Sequence, residues 1–295
     1  MKRTEEGFLL LTSHLGDPAR KVLTTAQFRD LTARMRQAPM RVEERELEER
    51  DLVAIGYDRN MARRILTLLQ QEEQLRWYLR RGRECTPITR ISDGYPDRLR
   101  NKLGMEAPGC LWAKGDIALL RQPAVALVGS RELLPENEVF AHKVGQAAAE
   151  QGYVLVSGNA AGADRAAQDA CLQAGGCVIS VVADRLDEKQ AQPNVLYLSE
   201  DGYDLAFSAQ RALSRNRVIH CLGQRTFVAQ SDLGKGGTWG GTTKNLRHNW
   251  SPVFCYRDGS KAMEELTQMG AAVIDCDALK ALNQLQPDTI NFIEQ

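Results

Sequence analysis

Three short segments of this 295-residue chain combine glycine with hydroxyl, amide or basic side chains, and each follows an apolar run. Glycine lets the backbone approach a ligand closely, amides and hydroxyls donate to anions, and arginine can hold a phosphate through two parallel hydrogen bonds. The combination indicates phosphate binding. The candidate residues of the three segments are Gly129, Ser130, Arg131, Ser157, Gly158, Asn159, Gly162, Asp164, Arg165, Lys235, Gly236, Gly237 and Thr238.

A fourth candidate lies between the second and third segments, in the stretch SAQRALSRNRVIHCL. Its pattern predicts one helix with Arg211 and Arg215 a turn apart, and with Asn216 and Arg217 beside them. Guanidinium groups on a helix next to two glycine segments favour a phosphate-binding groove over an ordinary solvated helix face.

Two common nucleotide-binding motifs are missing from these segments. The dinucleotide fingerprint G-x-G-x-x-G neither follows the first apolar run nor recurs in SGNAAGAD, and GKGGTWGGTTKN lacks the Lys-Ser/Thr pair of a Walker loop. In the second segment, Asp164 is expected to cap a helix that runs to about Leu172. Structural turns are the simpler alternative for the first and third segments.

These segments need a scaffold, and from Pro123 onward the sequence repeats strand, loop and helix patterns. Apolar runs predict strands at 124–128, 153–157, 177–182, 226–230, 252–256 and 271–274. Continuous apolar strands separated by helices indicate a parallel sheet covered on both faces. The predicted fold class is therefore α/β, a Rossmann-like doubly wound parallel sheet, in which ligands bind beyond the carboxyl ends of the strands.

The chain changes character before this repeat begins. Residues 1–84 are rich in Leu, Arg, Glu and Gln and predict a small helical N-terminal domain. Residues 85–120 contain several turn signals and predict an ordered connecting segment, which leaves 121–295 for the Rossmann-like domain. Seven arginines lie between Arg59 and Arg83. A solvated helix face is the simpler explanation for them, and a phosphate-contacting surface is the alternative.

Composition narrows the class of protein. With 43% apolar and 26% charged residues the chain should form a globular fold. It shows no apolar run long enough to span a membrane and no signal-peptide pattern, and its seven scattered cysteines are expected to be reduced thiols in a cytoplasmic protein. Because the net charge is zero, any nucleic-acid site must be a local patch. We expect no metal, cofactor or catalytic residue.

Five segments in one order resemble the DNA-processing protein A family, also called DprA or Smf, within the DprA and LOG-like Rossmann superfamily. They are ITRISDGYPDRLRNKL, CLWAKGDIALLRQPAVALVGSR, VSGNAAGADRAAQ, SRNRVIHCL and GGTWGGT, and the resemblance covers about residues 5–280. Carried over position by position, it places these residues in one pocket: Gly129, Ser130, Arg131, Ser157, Gly158, Gly162, Asp164, Arg215, Asn216, Arg217, Gly236, Gly237 and Thr238.

The resemblance implies a protein that binds single-stranded DNA, forms a homodimer and loads the RecA recombinase onto strands during DNA uptake and recombination. Pairing is expected to use an edge strand and a helix near Leu279 to Leu285. The chain departs from the family pattern at Ala161, where the family has arginine, and at Gln168, where it has histidine.

The superfamily also supplies the alternatives, a non-catalytic nucleotide sensor and a LOG-like hydrolase of nucleotide N-glycosidic bonds. The hydrolase motif requires a glutamate, whereas GKGGTWGGTTKNLRHNW contains no carboxylate, so Asp164 or Asp232 would have to replace it. We therefore expect a non-enzymatic protein that binds single-stranded DNA, with these two functions as alternatives.

Overall fold

A computed structural model describes residues 1–38, 46–200 and 202–286 of the chain. The chain forms two compact units. The first comprises Met1–Tyr95, Met105–Trp112 and Glu200–Tyr203, and the second comprises Pro96–Gly104, Ala113–Ser199 and Asp204–Gln295. Residues 85–120, expected to act as one connecting segment, are thus divided between the two units.

The first unit is mainly helical, as its sequence predicts. Leu31, Leu52 and Ile65 form its core with other aliphatic side chains, and capping bonds from Thr24 and Asp58 fix the starts of two of the helices. Its helices are α1 (Arg3–Thr12), α2 (Thr25–Gln37), α3 (Glu49–Ala54), α4 (Arg59–Leu69) and α5 (Glu72–Arg81), followed by the short strand β1 (Thr86–Thr89).

The second unit alternates helices with strands. Its helices are α6 (Asp97–Leu103), α7 (Pro135–Glu150), α8 (Ala163–Gln173), α9 (Ala209–Ser214), α10 (Asn216–Leu222), α11 (Gly236–His248) and α12 (Lys261–Gln268). Strand β2 (Cys110–Lys114) begins in the first unit, and its last two residues belong to the second. The other strands of the second unit are β3 (Ala124–Val128), β4 (Val154–Ser157), β5 (Val178–Val181), β6 (Val195–Glu200), β7 (Thr226–Val228), β8 (Val253–Tyr256) and β9 (Ala272–Ile274).

Strands β3 to β9 pair in the order β6-β5-β4-β3-β7-β8-β9, and every pair is parallel. Strand β3 is central: Ala126 lies in register with Val156 on one side and Thr226 on the other. The chain builds outward from β3 to β6, then returns to the other side of β3 to add β7. This confirms the Rossmann-like doubly wound fold and places the topological switch point between β3 and β7.

All six predicted strands are present, but the sequence prediction omitted β6 and the two strands within residues 86–114. Strand β6 directly follows the polar stretch DRLDEKQAQPN, which hides its apolar run. In the described part of the chain, no helix is both long and apolar enough to cross a bilayer.

Candidate functional site

The three glycine segments come together at the carboxyl ends of the central strands. The first follows β3, the second follows β4, and the third leads from β7 into α11. The Ala163 amide donates to the Ser130 carbonyl at 3.1 Å, and the Thr238 hydroxyl donates to the Gly129 carbonyl at 2.9 Å. We call the three segments together, 129–131, 158–162 and 235–238, the cradle.

An added Cβ would clash at three cradle glycines, and at Gly129 it would lie 2.4 Å from the Cβ of Ala163. At Gly158, an added Cβ would lie 1.8 Å from Nη1 of Arg215, and at Gly162 it would lie 2.3 Å from the carbonyl oxygen of Arg131. Gly162 also has a φ of 74°, in the left-handed region that side chains disfavour. From the sequence, these small residues were interpreted as leaving room for a ligand. In the structure, the space beside them holds the Arg215 guanidinium and the Arg131 carbonyl.

Arg215 and Asn216 connect the second and third segments. The buried guanidinium of Arg215 donates to the Gly158 carbonyl at 2.9 Å and to Asn216 Oδ1 at 2.8 Å. The Asn216 amide in turn donates to the Gly237 carbonyl at 2.9 Å. These two residues therefore hold the cradle together from beneath.

The stretch that contains Arg215 is not the single helix that was predicted. Helix α9 ends at Ser214, α10 begins at Asn216, and Arg215 is the junction between them. The Arg215 amide still donates to the Arg211 carbonyl at 3.0 Å, so the two arginines lie one helical turn apart, as predicted. The Arg215 side chain binds the Gly158 carbonyl, whereas Arg211 binds other carbonyls.

Asp164 does not cap helix α8, which corrects the sequence prediction. The helix begins at Ala163 with Gly162 as its N-cap, and Asp164 lies within the first turn. Its Oδ2 instead accepts hydrogen bonds from the amides of Gly158 at 3.2 Å and Ala160 at 3.1 Å. The carboxyl group therefore fixes the loop that precedes the helix.

Burial dominates the electrostatics of Asp164. Loss of water raises the pKa of its carboxyl group, and the positive charge of Arg215, the two amides and the charge of Arg131 oppose that rise. A buried carboxylate next to a buried guanidinium balances charge inside the protein. The main role of Arg215 is therefore to stabilise the folded cradle, not to bind a ligand.

Three predicted cations have side chains that are not held by protein groups. Arg131, Arg165 and Lys235 are exposed, and within the described residues none of them forms an ion pair or a side-chain hydrogen bond. Asn159 lies between Arg131 and Arg165 in the sequence. It is half-buried and has a φ of 58°. These groups are available to an anionic ligand.

The other two predicted arginines already bind protein groups. Arg211 donates to the carbonyls of Ala183 at 2.6 Å, Leu205 at 2.8 Å and Ala206 at 3.0 Å, and to the Ser199 hydroxyl at 2.8 Å. Arg217 donates to the carbonyl and the hydroxyl of Ser214. Arg211 in particular has most of its N–H donors occupied, which suits it to positioning the chain around α9.

Helix α11 presents its N-terminus at the cradle. Gly236 and Gly237 are its first residues, and its N-cap, Lys235, makes no capping bond with its side chain. The first amides of a helix have no partner within the helix, and the helix dipole favours negative charge there. A phosphate at this position would meet amide donors and the Lys235 ammonium group together.

Sequence reasoning assigned no supporting role to two residues that hold the cradle. Gln230, after β7, accepts from the Ser130 amide through its carbonyl at 3.0 Å and from the Leu134 amide through its side chain at 2.9 Å. Gln168, noted in the sequence only as a departure from the family pattern, lies within α8 and donates to the Ser157 hydroxyl. Gln230 stands at the end of a predicted strand, which was its only sequence signal, and nothing in the sequence indicated the partner of Gln168.

Comparison with known proteins identifies the family of the chain. Residues 86–286 match the sequence profile of the family described as DNA recombination-mediator protein A. The DNA processing protein DprA of Streptococcus pneumoniae is 36% identical over 141 residues, which are 44% of this chain and 50% of that protein. Protein Smf of Escherichia coli is 26% identical over 194 residues, 61% of this chain and 51% of its own. The chain thus matches about half the length of these curated relatives.

Solved structures show the same fold. The X-ray structure of DNA processing protein A from Streptococcus pneumoniae superposes with a TM-score of 0.72 at 25% identity, covering 98% of this chain and 100% of that one. A structure of DNA processing protein A from Helicobacter pylori, reported for its single-stranded DNA binding mode, has a TM-score of 0.54 at 26% identity and covers 65% of this chain and 91% of its own.

The family profile covers two thirds of the chain and includes all seven strands of the parallel order together with every segment of the cradle. The chain therefore belongs to the DNA recombination-mediator protein A family.

Proposed function

We propose that this protein binds single-stranded DNA in the cradle and catalyses no reaction there. One observation carries the proposal: Arg131, Arg165 and Lys235 are exposed, unpaired cations on or beside segments that hydrogen bonds hold together at the switch point. A DNA backbone supplies the repeated phosphates that such a group of cations would bind. The Helicobacter pylori relative, whose structure concerns single-stranded DNA binding, supports this choice of ligand.

The shape of the site favours a single strand over a duplex. The cradle consists of loops and helix N-termini at strand ends, which a flexible single strand can follow more readily than a rigid duplex. Trp239, half-buried in the first turn of α11, lies next to the phosphate donors and offers an aromatic ring to an unpaired base. Single strands can expose their bases to such a ring, whereas a duplex keeps them stacked.

The alternatives share the phosphate chemistry of the cradle. A free nucleotide could bind the same amides and cations, so the nucleotide sensor differs only in the length of the ligand. A hydrolase needs a carboxylate beside the sugar, and Asp164 is buried and bound to two loop amides. No acidic residue lies in α11, and Asp232, the other candidate, is an exposed residue of the loop before that helix. The structure therefore favours binding over hydrolysis.

Titration with labelled oligonucleotides tests the proposal. We expect Arg131→Ala to weaken binding of single-stranded DNA by about tenfold, since one charge-assisted contact contributes roughly 1.5 to 3 kcal/mol. The matched control is Arg121→Ala, an exposed arginine that precedes β3 instead of following it. Equal affinity for a duplex of the same length, tighter binding of a mononucleotide, or equal loss in both variants would contradict the proposal.

Family membership suggests finer roles that we include in the proposal: a cytoplasmic protein that pairs with a second copy and delivers strands to RecA. The surface predicted for pairing, an edge strand with the segment near Leu279 to Leu285, stays a prediction. The segment Cys276–Gln284 forms a 3-10 helix whose Leu279 and Leu282 are buried within the chain, with Gln151 bound to the Leu279 carbonyl at 2.8 Å. Contacts from this segment to a second copy would therefore have to come from its exposed residues, such as Lys280 and Asn283.

A further inference from the structure

Trp77 of helix α5 lies on the solvent-exposed side of the helix and does not pack in the core. Leu75 and Tyr78 are buried and supply the inner face of α5, whereas Trp77 is 50% exposed. By contrast, Trp112 and Trp250 are almost fully buried. A single exposed apolar side chain is common on protein surfaces, so the groups around Trp77 must decide whether this one marks a contact surface.

Arginines surround this tryptophan. Arg80 and Arg81 follow Trp77 by three and four residues, so both lie on its side of the helix. The Arg81 guanidinium carbon is 5.4 Å from the centre of the Trp77 ring, a cation–π distance. We define the α5 face by its exposed residues Arg76, Trp77, Arg80, Arg81 and Arg83.

The helix dipole explains only part of this arrangement. Acidic Glu72 and Glu73 occupy the first turn and basic Arg80 and Arg81 the last, as the dipole favours. Glu72 also pairs with Arg76 at 3.1 Å. Neither effect accounts for an exposed indole between the cations, and Arg80 and Arg83 have no ion pair within the described residues.

We propose that the α5 face is a second contact site for single-stranded DNA, in which one base stacks on Trp77 and the adjacent phosphates bind the arginines. Indole rings stack on any unpaired base, and arginines supply charge to the backbone on either side. A duplex would offer phosphates but no free base. The inference rests on the proposed function for the identity of the ligand, but its residues lie in the other unit and are independent of the cradle.

Tryptophan fluorescence tests the proposal directly. The variant Trp239→Phe leaves Trp77 as the one exposed tryptophan beside the buried Trp112 and Trp250. We expect an oligothymidylate of about 30 nucleotides to quench its emission, and we expect the double change Arg80→Ala and Arg83→Ala to raise the concentration needed for half-quenching about tenfold. The matched control is Arg36→Ala, an exposed arginine of α2 with no ion pair in the described residues.

Binding of the same strand, followed by anisotropy in Trp77→Ala and in Arg131→Ala, separates this inference from the cradle. If Arg131→Ala weakens binding while Trp77 emission and Trp77→Ala binding stay unchanged, the α5 face is refuted and the cradle remains. If Trp77→Ala weakens binding and Arg131→Ala does not, the α5 face stands and the cradle fails. Absence of binding in the parent protein refutes both, and equal quenching by a duplex refutes base stacking on Trp77.

Discussion

At the scale of single residues, the cradle depends on one side chain that passes through the space next to a glycine. Arg215 occupies the position that a Cβ of residue 158 would take, and from there it binds the carbonyl of that residue. Asp164 holds the amide of the same residue at 3.2 Å. Both polar groups of the Gly158 backbone are thus bound by buried charged side chains, which fixes the second segment without help from a ligand.

This arrangement predicts the effect of Gly158→Ala. The added methyl group must displace the Arg215 guanidinium, which breaks its bond to residue 158 and strains a packed site, so we expect a loss of about 1–3 kcal/mol in unfolding free energy. We also expect weaker binding of single-stranded DNA, because the second segment shifts. Gly240→Ala is the control, since Gly240 is helical and has no atom within 4 Å of the added Cβ. Chemical denaturation of both variants measures the difference, and equal stability would contradict this account.

At the scale of elements, helices α10 and α11 meet strand β7 through a buried polar network. The imidazole Nδ1 of His220 lies 3.2 Å from the Thr226 hydroxyl and 3.2 Å from the Asn245 amide nitrogen, and Ser251 bonds to both partners. Asn245 and His220 are fully buried. The network fixes α11 against α10, and these two helices carry the third cradle segment and Asn216.

This network should make stability depend on pH. Burial, assisted by the charge of Arg215, lowers the pKa of His220 from 6.5 to about 3. The unfolded chain therefore takes up a proton below about pH 6.5 that the folded protein excludes, and stability is lost as the pH falls toward 3. Against His220→Gln, which cannot take up that proton, the wild type should lose about 1.4 kcal/mol more per pH unit between pH 6 and 4. Parallel unfolding curves for the two proteins would contradict this prediction.

The sequence predicted some of these elements and contacts but not others. Apolar runs identified the central strands, since burial on both faces demands continuous apolar residues, and the strand ends then located the cradle. Local pattern could not show that the Arg215 side chain binds the Gly158 carbonyl, because that bond joins residues 57 positions apart in the sequence. For the same reason, sequence alone could not separate arginines bound by protein carbonyls, such as Arg211, from exposed ones such as Arg131.

At the scale of the whole molecule, the protein carries no net charge, so no long-range field draws a strand toward it. Any attraction must come from local groups such as Arg131 and Lys235 of the cradle and Arg165 beside it, and a strand that binds there should release counterions in proportion to its phosphate contacts. For single strands each contact contributes about 0.7 to the slope of log affinity against log salt concentration, which predicts a slope of about −2 from these three cations.

The salt dependence therefore measures how many cradle cations contact phosphate. We expect Lys235→Ala to flatten the slope by about 0.7 and to weaken binding most strongly at low salt, because it removes one phosphate contact and leaves the hydrogen bonds beneath the cradle intact. Lys244→Ala, an exposed lysine two turns further along α11, is the matched control and should leave the slope unchanged. Anisotropy titrations from about 50 to 300 mM salt give both slopes. A slope that is the same in the parent protein and in Lys235→Ala would place the phosphates away from the N-terminus of α11.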